Sequence, residues 1–144
     1  MIAVDTNILV YAHRKDSPFF QAAQTAIRGL SEAPEYWAIP WPCVHEFLAV
    51  VTNSRIFRDP TPLAAAIEQI DIWMESPFLR MIGESDAYWR VLAETLTAGK
   101  IEGAKIHDAR IAAICRTHGV RALWTADRDF SRIGGVNTLN PLLT

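Results

Sequence analysis

The sequence predicts an α/β fold, a mainly parallel sheet covered on both faces by helices, three layers in all. Two observations carry the prediction. Short apolar runs alternate along the chain with longer segments whose apolar residues recur every three or four positions, so strands alternate with amphipathic helices. Acidic residues stand directly after the strand candidates, at the carboxyl edge where open α/β sheets bind ligands. Length and composition agree: 144 residues, half of them hydrophobic, suffice for one full core, and there is no repeat, Gly/Ser tract or single-sign charge block. One domain over 1–144 is expected.

Ile2 to Val4 is an apolar run ending at Asp5, and Ile8, Leu9 and Ala12 then supply a helical stripe, so the chain opens strand then helix. A second helix is expected from Ser17 or Pro18 to Leu30. Tyr36 to Ile39 reads as a strand, and "PWPCVHEFLAVVTN" as a helix with Pro42 in its first turn, where the missing N–H is harmless. Leu63 to Met74 and Ala87 to Leu96 have helical spacing, with Phe78 to Ile82 a strand between them. A helix opening near Asp108 ends at Gly119, a favoured C-cap residue. "ALW" and "VNTL" read as the last strands.

The net charge of −2 excludes a broadly basic nucleic-acid coat and leaves room only for a local basic patch. Cys43 and Cys115 lie among apolar residues, far from any CxxC spacing, and read as core thiols. The chain starts without a basic, then apolar leader, and no run approaches membrane-spanning length, so a cytoplasmic protein is expected.

Four acids stand out. Asp5 and Asp108 each head an apolar stripe, with Ile8, Leu9 and Ala12 following the first and Ile111, Ala112 and Cys115 the second. Glu46 shares a helix face with Cys43, Val50 and Asn53 and is expected to border the core; Asp127 follows "ALW", with Asp129 two residues on. Each has a bland reading: Asp5 and Asp108 as N-caps, Glu46 as an edge residue, Asp127 or Asp129 as turn formers. Jointly the bland readings need four coincidences at one sheet edge. Two carboxylates about 5 Å apart at an effective dielectric near 20 repel by about 3 kcal/mol, so such a cluster calls for a neutralising cation. An all-oxygen ligand set favours magnesium or manganese over zinc. His45 and His107 each precede an acid by one residue and so point about a quarter turn away, as surface or supporting groups. Lys100, Lys105, Arg110 and Arg128 are either solvated charges or, beside an acidic centre, contacts for the phosphates of a polyanion.

Asp-Thr-Asn after the first strand, the Glu of "VHEFLAVVTN", "HDA" opening a helix and a late "TADRDF" together resemble the PIN-domain nucleases, in order and over most of the chain. "PWPCVHEFLAVVTNSRIF" and "DRDFSRIGGVNTLNPL" are similar to the VapC toxins of bacterial toxin–antitoxin pairs. The resemblance implies a PIN-like fold with Asp5, Glu46, Asp108 and Asp127 as the metal-binding catalytic acids and Asp129 in support. Thr6, Asn7 and Thr125 then match small polar positions that orient ligands or water. It further implies a magnesium-dependent endoribonuclease, an RNA substrate, a VapB-like antitoxin and a homodimer. Two readings compete: a receiver-like signalling module with a magnesium-binding acidic pocket, and an RNA-binding relative without catalysis. A receiver would carry paired acids after its first strand, whereas Asp5 is followed by Thr6 and Asn7.

Overall fold

The computed structural model describes residues 1–143; Thr144, the end of the expected domain, lies outside the described residues. Apolar runs form five strands: β1 (Ile2–Val4), β2 (Trp37–Pro40), β3 (Leu79–Ile82), β4 (Ala122–Trp124) and β5 (Thr138–Leu139). All pair in parallel, in the order β3-β2-β1-β4-β5. A receiver-type sheet runs 2-1-3-4-5, so the observed order removes that alternative. Ala3, Val4, Trp37, Ala38, Ile39 and Leu123 are all fully or almost fully buried, as strands covered on both faces must be.

The helices are α1 (Thr6–His13), α2 (Phe20–Glu32), α3 (Trp41–Val51), α4 (Leu63–Met74), α5 (Tyr88–Gly99) and α6 (Ile106–Thr117). Their apolar faces and the sheet enclose one main core around Ile8, Leu9, Phe47, Ile114 and Phe130, while Val91 and Leu92 of α5 meet Ala109 and Ala113 of α6 in a second cluster. Cys43 and Cys115 are buried free thiols, as expected. The Trp37 indole donates to Ser76 Oγ at 3.0 Å, which satisfies the one polar atom of a fully buried ring.

Some boundaries move for local reasons. Helix α2 starts at Phe20 rather than Ser17 or Pro18, because Ser17 holds a turn: its N–H donates to Arg14 O, and its hydroxyl and carbonyl oxygens accept from the N–H groups of Phe19 and Phe20. Helix α5 runs three residues past Leu96 and stops where Lys100 adopts a left-handed conformation, φ +49°. Helix α6 starts at Ile106, after a 3-10 turn over Gly103–Lys105, so Asp108 lies inside the first turn and is not the cap. Gly119, φ +66°, follows its end as anticipated. Strand β5 is two residues rather than four, since Gly135 at φ +89° keeps the chain turning just before Val136.

Strand order decides where a site can form. The chain leaves β1 toward β2 on one side, whereas β4 lies against β1 on the other. The connections therefore diverge at the carboxyl ends of β1 and β4 and leave a crevice.

Candidate active site

Asp5 sits at that divergence. Its backbone N–H donates to Trp124 O of β4 at 2.9 Å, and the chain then turns into α1. Asp5 is the N-cap of α1, its Oδ1 accepting from Thr6 N–H at 2.8 Å, so the capping reading holds for this residue. The cap uses only part of the carboxylate. Oδ2 accepts from Thr125 Oγ1 at 2.7 Å and from Asn7 Nδ2 at 3.3 Å, and the Cys43 thiol donates to Oδ1 at 3.6 Å. Asp5 is 4% exposed, and burial pushes its carboxyl up to about 6; its hydrogen bonds oppose the rise and the Glu46 charge adds to it.

Thr125 follows β4 and joins the two strand ends. Besides donating to Asp5, its hydroxyl oxygen accepts from Asn7 Nδ2 at 3.2 Å and from Asp127 N–H at 3.0 Å. Asn7 Oδ1 accepts from Ala126 N–H at 3.0 Å. Asp127 caps the short 3-10 helix Arg128–Arg132 through Asp129 N–H at 2.8 Å, so its turn-forming reading also holds. Thr6 Oγ1 donates to Glu46 Oε2 at 3.2 Å. Glu46 is solvent-exposed, so the expectation that it borders the core is corrected: Cys43 and Val44 lie buried behind it, and its carboxylate stands at the mouth of the crevice.

Asp5, Glu46, Asp108 and Asp127 line one cavity of about 230 Å3, with Thr6, Asn7, Tyr11 and Phe130 among its walls. Asp108 has no hydrogen-bond donor among the described residues. Its carboxyl is raised above the ordinary range, first by burial and then by the charges of Asp127, Glu46 and Asp129, with Lys105 opposing. The four acids thus share a cleft and feel one another's charge. They do not close on a common point: among the described residues no three His, Cys, Asp or Glu side chains stand close enough to enclose a metal. The donor chemistry nevertheless fits a hard cation, since every acid at the cleft is a carboxylate.

The remaining residues fall around this cleft. Lys105 approaches Asp129 at 3.9 Å, and Arg110 Nε donates to Glu84 at 2.6 Å, so both bases have acidic partners. Lys100 and Arg128 are exposed, with no ion-pair partner among the described residues. His45 and His107, expected as surface or supporting groups, both line a second cavity of about 520 Å3 that shares Glu46 and Asp108 with the first and has Arg110 in its wall. Their position one residue before each acid was the available signal.

Residues 2–136 match the sequence profile of the PIN domain. The chain belongs to the PIN-domain family. Ribonuclease VapC48 of Mycobacterium tuberculosis is 30% identical over 137 residues, which cover 95% of this PIN domain and 94% of that protein. Among solved structures, VapBC2 from Rickettsia felis, bound to a DNA fragment from its promoter, superposes with a TM-score of 0.72 at 23% identity, covering 97% and 98% of the two chains. VapC20 of Mycobacterium tuberculosis, a sarcin–ricin loop cleaving toxin, gives a TM-score of 0.68 at 20% identity, covering 94% and 97%. The PIN fold expected from the sequence is therefore the fold observed. No helix among the described residues is long and apolar enough to cross a membrane.

Proposed function

We propose that this PIN domain, acting as one unit, is a magnesium- or manganese-dependent endoribonuclease of the VapC kind, a toxin silenced by a small partner antitoxin. The observation that carries this reading is the convergence of Asp5, Glu46, Asp108 and Asp127 on one cleft at the β1–β4 divergence. The relatives named VapC ribonucleases supply the reaction class, and the solved VapBC and FitAB assemblies supply the antitoxin by analogy.

Asp5, Glu46, Asp108 and Asp127 would hold the ion. When bound, a divalent cation supplies a Lewis acid that activates water and offsets negative charge on a phosphodiester. The chain's own groups do the positioning. Thr6 N–H, Thr125 and Asn7 hold both oxygens of Asp5, Thr6 Oγ1 steadies Glu46, and Asp129 N–H fixes Asp127. Asp129 otherwise serves in support. Lys100 and Arg128 are free to meet RNA phosphates, and Lys105 and Arg110 join them by exchanging their acidic partners for the polyanion. The antitoxin is expected to cover the acidic cleft with an arginine. Exposed Trp89, at 69%, and Trp41 support a homodimer through an aromatic surface.

The test combines chemistry and biology. Purified protein is expected to cut RNA with magnesium or manganese and to stop in EDTA. Its production alone is expected to arrest bacterial growth, and co-production of the antitoxin to restore it. Cleavage that persists in excess chelator overturns the metal-dependent mechanism; RNA left intact with either ion overturns the ribonuclease.

A further inference from the structure

One wall of the acidic cleft is aromatic, and the acids leave it unexplained. Tyr11 of α1 lines the same cavity as Asp5, Glu46, Asp108 and Asp127. It stands one helical turn beyond Asn7, whose amide donates to Asp5. Among the described residues its hydroxyl has no hydrogen-bond partner. Its ring lies 5.0 Å from that of Phe19, centroid to centroid, with the planes at 50°, so the two rings make the walls of a corner. Phe19 is 45% exposed, so its ring is accessible to a ligand from solvent.

The corner is held from behind. Ser17 builds the turn that carries Phe19, accepting from Phe19 N–H at 3.1 Å and donating to Arg14 O at 3.0 Å. Arg14 is almost buried: it pairs with Asp16 through Nε and Nη2, donates to Asp59 O and Thr61 Oγ1, and stacks over Phe57 at 4.1 Å. The backbone that carries the Phe19 ring is thus held by a hydrogen-bonded turn, and the ring itself rests against Tyr11. Lys15 lies in the same turn, exposed and without an ion-pair partner among the described residues.

We infer that the Tyr11–Phe19 corner is a nucleobase subsite: it takes the unpaired base of one nucleotide flanking the scissile phosphate, stacked on Tyr11 and bounded by Phe19. This rests on the ribonuclease reading above. The occupant follows from what surrounds the rings. A ring in the wall of the acidic cavity is within one nucleotide of any phosphodiester held there, and exposed Lys15, in the turn between Tyr11 and Phe19, adds a positive charge on the same side of the chain as the corner. Stacking tolerates every base, so the subsite demands a single-stranded nucleotide more than a particular letter.

The experiment uses the full chain with magnesium and a short single-stranded RNA, chosen from a random-sequence pool by being cut at one mapped bond. The RNA is resynthesised with an abasic residue at each of the two positions on either side of that bond. Wild type is expected to lose on the order of 10- to 100-fold in kcat/KM, mostly through KM, for an abasic residue at one position and little at the others. Tyr11→Phe keeps the ring and is expected to stay within about threefold of wild type. Tyr11→Ala and Phe19→Ala lose affinity for the intact RNA, and the abasic residue adds nothing further in Tyr11→Ala, since ring and base act as a pair. Phe19→Ala removes an exposed ring, so its melting temperature stays near wild type and separates recognition from folding. RNA uncut by wild type overturns the ribonuclease reading and this subsite with it. Normal cleavage with no abasic position effect, or with Tyr11→Ala and abasic losses that simply multiply, overturns the subsite alone. So does a loss of antitoxin binding in these variants with kcat/KM for RNA unchanged, which would make the corner a protein-docking surface.

Discussion

Metal-free protein is expected to become less stable as the pH rises from 5.0 to 7.5, the reverse of ordinary acid denaturation in its lower range. The cause is Asp5, whose carboxyl is pushed from 3.8 to about 6, chiefly by burial. A group that holds its proton more tightly folded than unfolded stabilises the fold fully below its unfolded pKa, and the contribution vanishes as the pH climbs through the folded one. Over the whole window the difference is about 3 kcal/mol, at about 1.4 kcal/mol per pH unit of separation. Between pH 5.0 and 7.5 about 1.4 kcal/mol of it is lost, since at pH 5.0 the unfolded carboxyl is already largely ionised. For a chain of this size that is about 3–6 °C in melting temperature.

Asp108, raised for the same reasons, acts in the same direction. Asp16 and Glu84 are held low, the former by its hydrogen bond to Arg14 and the latter by its hydrogen bond to Arg110 against a burial effect. Their stabilisation is lost only as the pH falls below the ordinary carboxylate range, outside this window. The assay is thermal denaturation in EDTA at the two pH values for wild type and Asp5→Asn. The variant is expected to lose most of the slope and to keep the smaller part that comes from Asp108. It does not simply gain stability, because an amide in place of Oδ2 sets a donor against Asn7 Nδ2. Magnesium is expected to raise the melting temperature more at pH 7.5 than at 5.0, since protons compete for the same oxygens. A wild-type melting temperature that is flat or rises with pH in EDTA refutes the reasoning, as does a slope undiminished in Asp5→Asn.

Glu46→Gln and Asp108→Asn are expected to abolish cleavage while melting within about 1 kcal/mol of wild type, because one is exposed and the other makes no internal hydrogen bond; activity measured beside circular dichroism checks both halves. Thr125→Val is expected to lower activity and cost about 1–3 kcal/mol in urea titration, since it leaves Asp127 N–H and Asp5 Oδ2 each short of a partner. It also removes a bond that lowers the Asp5 carboxyl, so the acid limb of the pH–rate profile moves upward. If water attacks the phosphodiester, a 2′-deoxy nucleotide on the 5′ side of the cut leaves cleavage in place, and fragments carry 5′-phosphate and 3′-hydroxyl ends. Cyclic phosphate ends on natural RNA, with no cleavage of the deoxy substrate, assign the attack to the 2′-hydroxyl.

Periodicity reads one element at a time, and what it reads here is the acids. The stripes after Asp5 and Asp108 and the shared face of Cys43, Glu46 and Val50 follow from 3.6 residues per turn. Glu46 marks the limit: a helix face can be located from spacing, but whether its last residue meets the core or the solvent depends on what packs opposite. Strand order is equally silent in the pattern. Only once β4 lies beside β1 do Thr125 and Asn7, 118 residues apart, come within 3.2 Å. The Arg14 clamp onto Asp59 and Thr61 is hidden for the same reason, and the Tyr11–Phe19 corner depends on a Ser17 turn that displaces the expected helix start.

The capping and catalytic readings of these acids turn out to be compatible, and their difference divides the site. Asp5 and Asp127 are caps whose backbone partners fix them before any ligand arrives, with Thr125 linking the two. Glu46 has one hydrogen bond, to Thr6, and Asp108 has none among the described residues. Half of the cleft is therefore preorganised by folding, and the other half carries charged side chains that few or no hydrogen bonds tie down, with all four carboxylates lining one cavity. If the four acids hold a divalent ion as proposed, Asp5 and Asp127 would meet it already oriented by their backbone hydrogen bonds, and Glu46 and Asp108 would be the two side chains left to adjust. For that reason Asp108→Asn is expected to weaken metal binding while the metal-free protein stays within about 1 kcal/mol of wild type, whereas Thr125→Val damages both.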